Sequence, residues 1–220
     1  SVKYKAHDET FEHLLWPEKK AEKELRSIRA DYVTQGIPEV YSQEYLNIPI
    51  DESVAFFKRG EFKDRTLDDQ KKQLRYYIAG DMAISEADKA DYTCFVVGGL
   101  DANGLLHIVL VIRERMDSKE IVDTIFALEQ MYQPEVFALE KGQISKAIGP
   151  YLYAEMPKRN LWPQIYEVVP SVDKPTRARA IQGRMRAAGV RFEKDSDWYQ
   201  TFEDECTRFP RDKHDDQVDA

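Results

Sequence analysis

The chain has little cysteine, no phosphate-binding glycine loop, no long apolar run and no surplus of basic residues, and each absence removes a class of protein. Its two cysteines, Cys94 and Cys206, stand far apart among 220 residues, too few for a disulfide framework or a zinc site. Both read as buried, reduced, small hydrophobes. The longest apolar stretches, Tyr92 to Leu100 and Leu105 to Ile112, reach about half of the roughly 18 residues that a membrane span needs, so the sequence predicts a soluble protein with no membrane partner. No charged start followed by an apolar stretch and a small-residue cleavage site appears at Ser1, which argues against an export signal. No G-x-x-x-x-G-K-[ST] segment occurs, so no P-loop nucleotide site is carried here. The net charge of −8 lacks the basic balance that phosphate binding normally leaves on a protein.

What is present is uneven. With 42% hydrophobic and 33% charged residues, the chain has apolar material for one packed core and a smaller appendage before it. Lys174 to Lys194 carries Lys174, Arg177, Arg179, Arg184, Arg186, Arg191 and Lys194, whereas Asp212 to Asp219 is rich in carboxylates. The first set suits phosphates and the second suits cations.

Asp8 to Arg29 has helical periodicity, interrupted by Trp16-Pro17-Glu18. Tyr41 to Pro49 is aromatic and punctuated by Asn and Pro, and Phe57 to Arg75 is charged. Residues 1–70 therefore read as a connector or the tail of a preceding domain, and residues 71–220 as the main domain. There the pattern changes. Tyr76 to Ala83 predicts a strand, followed by a polar loop (Ile84 to Asp91) and a second strand at Tyr92 to Leu100. Asp101-Ala102-Asn103-Gly104 predicts a hairpin turn leading to a third strand at Leu105 to Arg113. Asp117 or Ser118 can cap a helix to about Tyr132 with Ile121, Ile125, Leu128 and Met131 on one face, and Pro134 stops it. Glu135 to Glu140 and Ile165 to Val169 predict further strands with a helix between them, which implies parallel crossovers added to the meander. Pro175 opens a basic helix through Ala188, with Gly189 at its end. Trp198 to Phe209 and Lys213 onward read as helices too. Because the sequence stops at Ala220 just inside a helix, a C-terminal portion beyond it is expected. The order β-β-β-α-β-α-β-α is that of a ribonuclease H-like α/β fold, in which an antiparallel three-strand meander extended by parallel strands forms a mixed sheet flanked by helices.

Three acidic features could carry chemistry. Asp81 lies within a predicted strand, where Asp is disfavoured and a buried carboxylate is costly unless paired or metal-bound; alternatively it starts a turn. Glu140 ends a short apolar strand, where parallel strands deliver side chains to a ligand-binding edge; alternatively it pairs with Lys141 on the surface. His214-Asp215-Asp216-Gln217-Val218-Asp219-Ala220 either caps a helix electrostatically or contributes ligands. Carboxylates converging from these places would repel and raise one another's pKa unless a divalent cation compensates. An all-oxygen set suits Mg²⁺ or Mn²⁺ rather than zinc. Two such ions about 3.5–4 Å apart would support in-line phosphodiester displacement. Lys174, Arg177 and Arg184 fall in one helical arc and are candidate phosphate contacts, against the alternative of a solvated helix face; Lys141 is a further candidate.

Gly80-Asp81-Met82-Ala83, Asp91-Tyr92-Thr93, Leu139-Glu140 and the terminal His214-Asp215-Asp216-Gln217-Val218-Asp219-Ala220, in that order, resemble the nuclease domain of tailed-bacteriophage large terminases. Upstream, Leu15-Trp16-Pro17-Glu18 and Gln43-Glu44-Tyr45-Leu46-Asn47-Ile48-Pro49 are similar to the segment joining that family's packaging ATPase to its nuclease. The resemblance implies a metal-dependent endonuclease that cuts concatemeric viral DNA during capsid filling. It implies that Asp81, Glu140 and Asp215 hold two Mg²⁺ or Mn²⁺ ions, with Asp216 as a further ligand or a base behind them. Which of Asp215 and Asp216 points inward stays open, since helical neighbours diverge by about 100°. Asp219, one turn beyond Asp215, shares its face or merely decorates the helix. His214 reads as a helix-start residue rather than a ligand, and Asp88 and Asp91 as loop-fixing groups.

Double-stranded DNA, the packaging ATPase region of the same full-length chain, the portal protein and the small terminase subunit are the implied partners, and the host cytoplasm the implied location. Two rival readings remain. A Holliday-junction resolvase or transposase-like nuclease could share the carboxylate architecture but has no reason to carry the upstream connector. A non-catalytic module docking DNA or a portal would use the acidic cluster for helix capping alone.

Overall fold

The computed structural model describes residues 4–8, 10–34, 38–46, 55–83, 92–141, 148–169, 172–210 and 216–220. The chain divides into two compact units, Ser1–Ala55 and Phe56–Ala220.

In the first unit α1 (Glu22–Thr34) packs on α2 (Pro38–Leu46), with Leu25 and Tyr41 buried. The buried His7 ring stacks on Phe11 at 3.6 Å, and its Nε2 lies 2.6 Å from the Tyr41 hydroxyl. The helix expected from Asp8 begins only at Glu22. Asp8 accepts the Glu12 N–H at 3.0 Å in a local turn, Phe11 takes a left-handed φ of 65°, and Pro17 disfavours helical backbone at Trp16. Asn47, Ile48 and Pro49 lie outside the described residues.

The second unit is built on a seven-stranded sheet in the order β1-β7-β4-β3-β2-β5-β6. β2 (Arg75–Asp81), β3 (Thr93–Leu100) and β4 (Leu106–Glu114) form the antiparallel meander. β5 (Val136–Glu140) runs parallel to β2, and β6 (Ile165–Val168) parallel to β5. On the other side β7 (Val190–Phe192) pairs parallel with β4, and β1 (Lys63–Asp64) with β7. This is the mixed ribonuclease H-like sheet that the sequence order predicts, widened by two strands.

The first of those strands, β1, ties residues 56–70 to the sheet unit rather than to the connector. β1 and the short α3 (Leu67–Gln70) belong to the sheet unit. Arg59 pairs with Glu203 and Asp204 at 2.5 Å each, Arg65 with Glu193 at 2.6 Å, and Phe57 and Phe62 are buried beside Phe192 and Phe202. Burying each such ring contributes roughly 1.5–3 kcal/mol, which outweighs the polar composition on which the connector reading rested.

Local chemistry explains the elements that hold the sheet. At the β3–β4 turn Asp101 Oδ1 accepts the N–H groups of Asn103 and Leu105, both at 2.9 Å, and Gly104 takes φ 77°, the left-handed backbone for which glycine carries no steric penalty. Asp117 caps α4 (Ser118–Tyr132): its carboxylate accepts the Glu120 N–H at 2.8 Å while Glu120 accepts the Asp117 N–H. α4 and α5 (Gly149–Arg159) cover one sheet face, over Ile78, Phe95, Phe137 and Leu139. The buried stripe of α4 turns toward Val122 and Phe126, so Met131, expected on that face, is 70% exposed. On the opposite face lie α6 (Lys174–Arg186) and α7 (Tyr199–Arg208), whose Met185, Phe202 and Cys206 pack with Phe192 and Cys94. A single turn, α8 (Asp216–Asp219), follows. Both cysteines are buried and unpaired.

Candidate active site

β2 and β5 run side by side, with Ala79 opposite Ala138 and Gly80 opposite Leu139. Continuing that register by one residue brings Asp81 opposite Glu140, at the carboxyl ends of two parallel strands, where ligands of open α/β sheets bind. Side chains alternate between faces. Leu139 points into the core under α4 and α5, so Asp81 and Glu140 point to the other face, toward α6 and α8. Gly80 makes this approach possible: a Cβ there would lie 2.8 Å from Leu139 Cδ2 and 2.8 Å from Phe95 Cδ1.

Asp81, half-buried, and Glu140, exposed, line a cleft of about 210 Å³ floored by Ala79 and Ala138, to which α8 adds Asp219 and α6 adds Arg177. The Asp219 carboxylate is held by α6: Arg177 reaches it at 3.0 Å and Lys174 forms a second ion pair. The Nε of Arg177 is buried and makes no hydrogen bond. Lys141 follows Glu140 with an exposed side chain, its backbone N–H donating to the Val168 carbonyl at 2.8 Å.

Arg184, grouped with Lys174 and Arg177 by helical angle, is elsewhere. Its guanidinium donates to the carbonyls of Gly104 and Gly189, by the β3–β4 turn and so at the sheet end opposite Asp81. Ten residues of helix separate Lys174 and Arg184 by about 15 Å along the axis, and a shared arc does not shorten that distance.

Asp216 faces another way. Its Oδ2 accepts from Arg113 of β4 at 3.2 Å, and the same guanidinium lies 3.5 Å from Glu205 of α7 and stacks 3.7 Å from the Tyr92 ring centre. Glu205 accepts the Gln217 backbone N–H and side-chain amide, both at 2.6 Å. Burial pushes its carboxyl above the ordinary range, partly offset by those hydrogen bonds and by Arg113. Cys94, across from Asp81 in β3, is pushed up by burial and then by the nearby Glu205, Asp216 and Asp81 carboxylates. Asp215 and His214, and the Asp88 and Asp91 loop, lie outside the described residues.

The structure thus brings together Asp81 and Glu140 with Asp219, and leaves Asp216 beside Arg113. Glu205 and Arg113 escaped the sequence reading. The former had a signal: it sits on the buried face of α7 with Phe202 and Cys206, a position where a carboxylate needs a specific partner.

Among the described residues no three acidic, histidine or cysteine side chains already stand at ligand distance from one point. The donor chemistry of the cleft still fits a hard divalent cation, because among the described residues three carboxylates and no nitrogen or sulfur ligand line it.

No protein-family model and no curated protein matches the sequence. Among solved structures, the large terminase nuclease of thermophilic phage G20c with bound cobalt superposes with a TM-score of 0.50 at 18% identity, covering 71% of this chain and 80% of that one. The human cytomegalovirus terminase nuclease domain gives 0.48 at 9% identity over 74% of this chain and 92% of that chain. The yeast mitochondrial Holliday junction resolvase gives 0.41 at 12% identity over 89% and 88%. The likeness to the phage G20c nuclease is one of fold, and it agrees with the ribonuclease H-like architecture read from the strand order.

Proposed function

We propose that this chain is a metal-dependent DNA endonuclease of the large-terminase type, cutting concatemeric viral DNA during genome packaging. The observation that carries the reading is the meeting, in one cleft, of carboxylates far apart in sequence: Asp81 from β2, Glu140 from β5 and Asp219 from α8. Carboxylates so gathered repel one another unless cations share the cleft; Arg177 and Lys174 meet Asp219, and a divalent ion would join them by binding Asp81 and Glu140 as well.

In this reading Asp81, Glu140 and Asp219 hold Mg²⁺ or Mn²⁺, with Asp215 a further ligand from the segment before α8. Asp216, tied to Arg113, orients that turn. The chemistry that a pair of such ions supplies when bound is acidification of the attacking water and charge stabilisation at the leaving 3′ oxygen. The chain's own cations serve the substrate: Arg177, in the cleft, and Lys174 beside it pair with Asp219 in the free protein and would turn to duplex phosphates once a metal ion holds that carboxylate, and Lys141 flanks the cleft. Such contacts are sequence-independent, as suits a nuclease whose DNA is delivered by a motor. The first unit then belongs to the connector from the ATPase region of the full-length chain; portal protein and small terminase subunit complete the assembly, in the host cytoplasm.

Supercoiled plasmid incubated with Mn²⁺, Mg²⁺ or EDTA tests the reading. Cation-dependent nicking that falls by about a hundredfold or more in Asp81→Ala and Glu140→Ala is expected. Nicking that survives EDTA or either substitution would refute it. A strong preference for four-way junctions over duplex would replace the terminase reading with a resolvase.

A further inference from the structure

We propose that Glu205 is a positioning residue of the cleft, its buried carboxylate fixing the rotation of α8 and so aiming Asp219 at Asp81 and Glu140; this rests on the nuclease reading above. α8 is one turn long, and a single turn does not hold itself, since the first helical hydrogen bond comes at the cost of fixing several residues. Its placement must come from outside. Both oxygens of Glu205 are committed to one residue of α8: Oε1 accepts the Gln217 N–H at 2.6 Å and Oε2 accepts the Gln217 Nε2–H at 2.6 Å. Glu205 and Gln217 are 7% and 3% exposed, so water does not compete for these bonds. Arg113 backs the carboxylate at 3.5 Å and also holds Asp216 at 3.2 Å.

The geometry of a helix makes this grip directional. Gln217 and Asp219 are two residues apart, about 200° around the axis, so clamping Gln217 against α7 turns Asp219 to the opposite side, where the cleft lies. A simple packing role for Glu205 would not need two bonds to one residue.

The test exchanges the partners. Gln217→Glu sets a second carboxylate against that of Glu205, so the side-chain bond becomes a repulsion between two acceptors, whereas Glu205→Gln alone would let the Gln217 amide turn over and keep both bonds. The double variant Glu205→Gln/Gln217→Glu restores both: the amide oxygen now on α7 accepts the backbone N–H of position 217, and the amide nitrogen donates to the carboxylate now on α8. Mn²⁺ affinity by titration calorimetry, plasmid-nicking kcat and KM, and amide exchange at Gln217 and Ala220 in the metal-free protein are measured for wild type, Gln217→Glu, Gln217→Ala and the exchange.

Gln217→Glu and Gln217→Ala are expected to lose about tenfold to a hundredfold in Mn²⁺ affinity and kcat, as for other residues that orient metal ligands, with DNA KM within about twofold and faster exchange at both amides. The exchange variant regains most of each. Should Gln217→Glu fail to fold, Gln217→Ala and the exchange variant carry the same comparison. Affinity and kcat within about twofold of wild type in the single variants, or no recovery in the exchange, overturns the positioning role while leaving the nuclease reading intact. A wild-type chain that neither binds Mn²⁺ nor nicks DNA overturns the nuclease reading, and the positioning role falls with its premise.

Discussion

Gly80→Ala is the smallest change that tests how the site is built. A Cβ at Gly80 would meet Leu139 Cδ2 at 2.8 Å and Phe95 Cδ1 and Cε1 at 2.8 and 2.9 Å. The leucine methyl can rotate away; the Phe95 ring, fully buried under α4, cannot. Forcing an extra carbon into a packed core costs about 1–3 kcal/mol. Alanine recovers about 0.5–1 kcal/mol through the lower backbone entropy of the unfolded chain. The net loss is about 0–2.5 kcal/mol, centred on about 1 kcal/mol, or up to about 10 °C in Tm at 2–4 °C per kcal/mol for a chain of this size. Urea unfolding followed by far-UV circular dichroism reads the first quantity, and a thermal scan the second. The cause is isolated by Phe95→Leu, which opens space on the crowded side: the double variant is expected to be more stable than the sum of the single effects by about 0.5 kcal/mol or more. Because Asp81 is the next residue, backbone displacement at Gly80 should also slow nicking. A Gly80→Ala chain more stable than wild type, or additive behaviour in the double variant, would show that the close approach of β2 and β5 does not depend on glycine.

At the sheet end opposite the cleft, Lys72 bridges Asp69 at 2.7 Å and Asp101 at 2.9 Å, and the buried His107 lies 3.4 Å from Asp101. Burial raises the Asp69 carboxyl, but Lys72 and Thr66 more than reverse this, and Lys72 holds Asp101 well below the usual range. Depressed carboxyls give stability that is present above about pH 4 and lost as pH falls through their folded values. Burial also holds His107 below its ordinary value, so a further contribution is lost as pH drops below about 6.5. Urea midpoints should therefore fall from pH 7 to 5 and again below 4, with the second step shallower in Lys72→Met; a flat profile in wild type would contradict the network. Cys94 and Cys206, buried with thiols pushed up by burial, should react with an aromatic disulfide on the order of a thousandfold more slowly in the native protein than in urea. Rapid native reaction of either would place it at the surface.

Several elements were legible because their causes are local. The Asn103-Gly104 turn, the Asp117 capping box, the strand alternation of β2 to β4 and the parallel β5 and β6 follow from backbone preference and periodicity, and their order determines the mixed sheet. Asp81 was visible as a carboxylate where a strand disfavours one, and Glu140 as the end of a short apolar strand. Other features needed the third dimension. β1 and β7, two and three residues long, are too short to show a period and exist because each pairs with a neighbour remote in sequence. Lys174 and Arg184 share an arc but not a level, because angle and rise along a helix are independent. Most of all, the acidic string after residue 213 supplied several carboxylates and no means of choosing among them. Among the described residues, Glu205 and Arg113 hold one side of α8 while Lys174 and Arg177 pair with Asp219 on the other, and rotation of a one-turn helix is set by what it packs against rather than by its own residues.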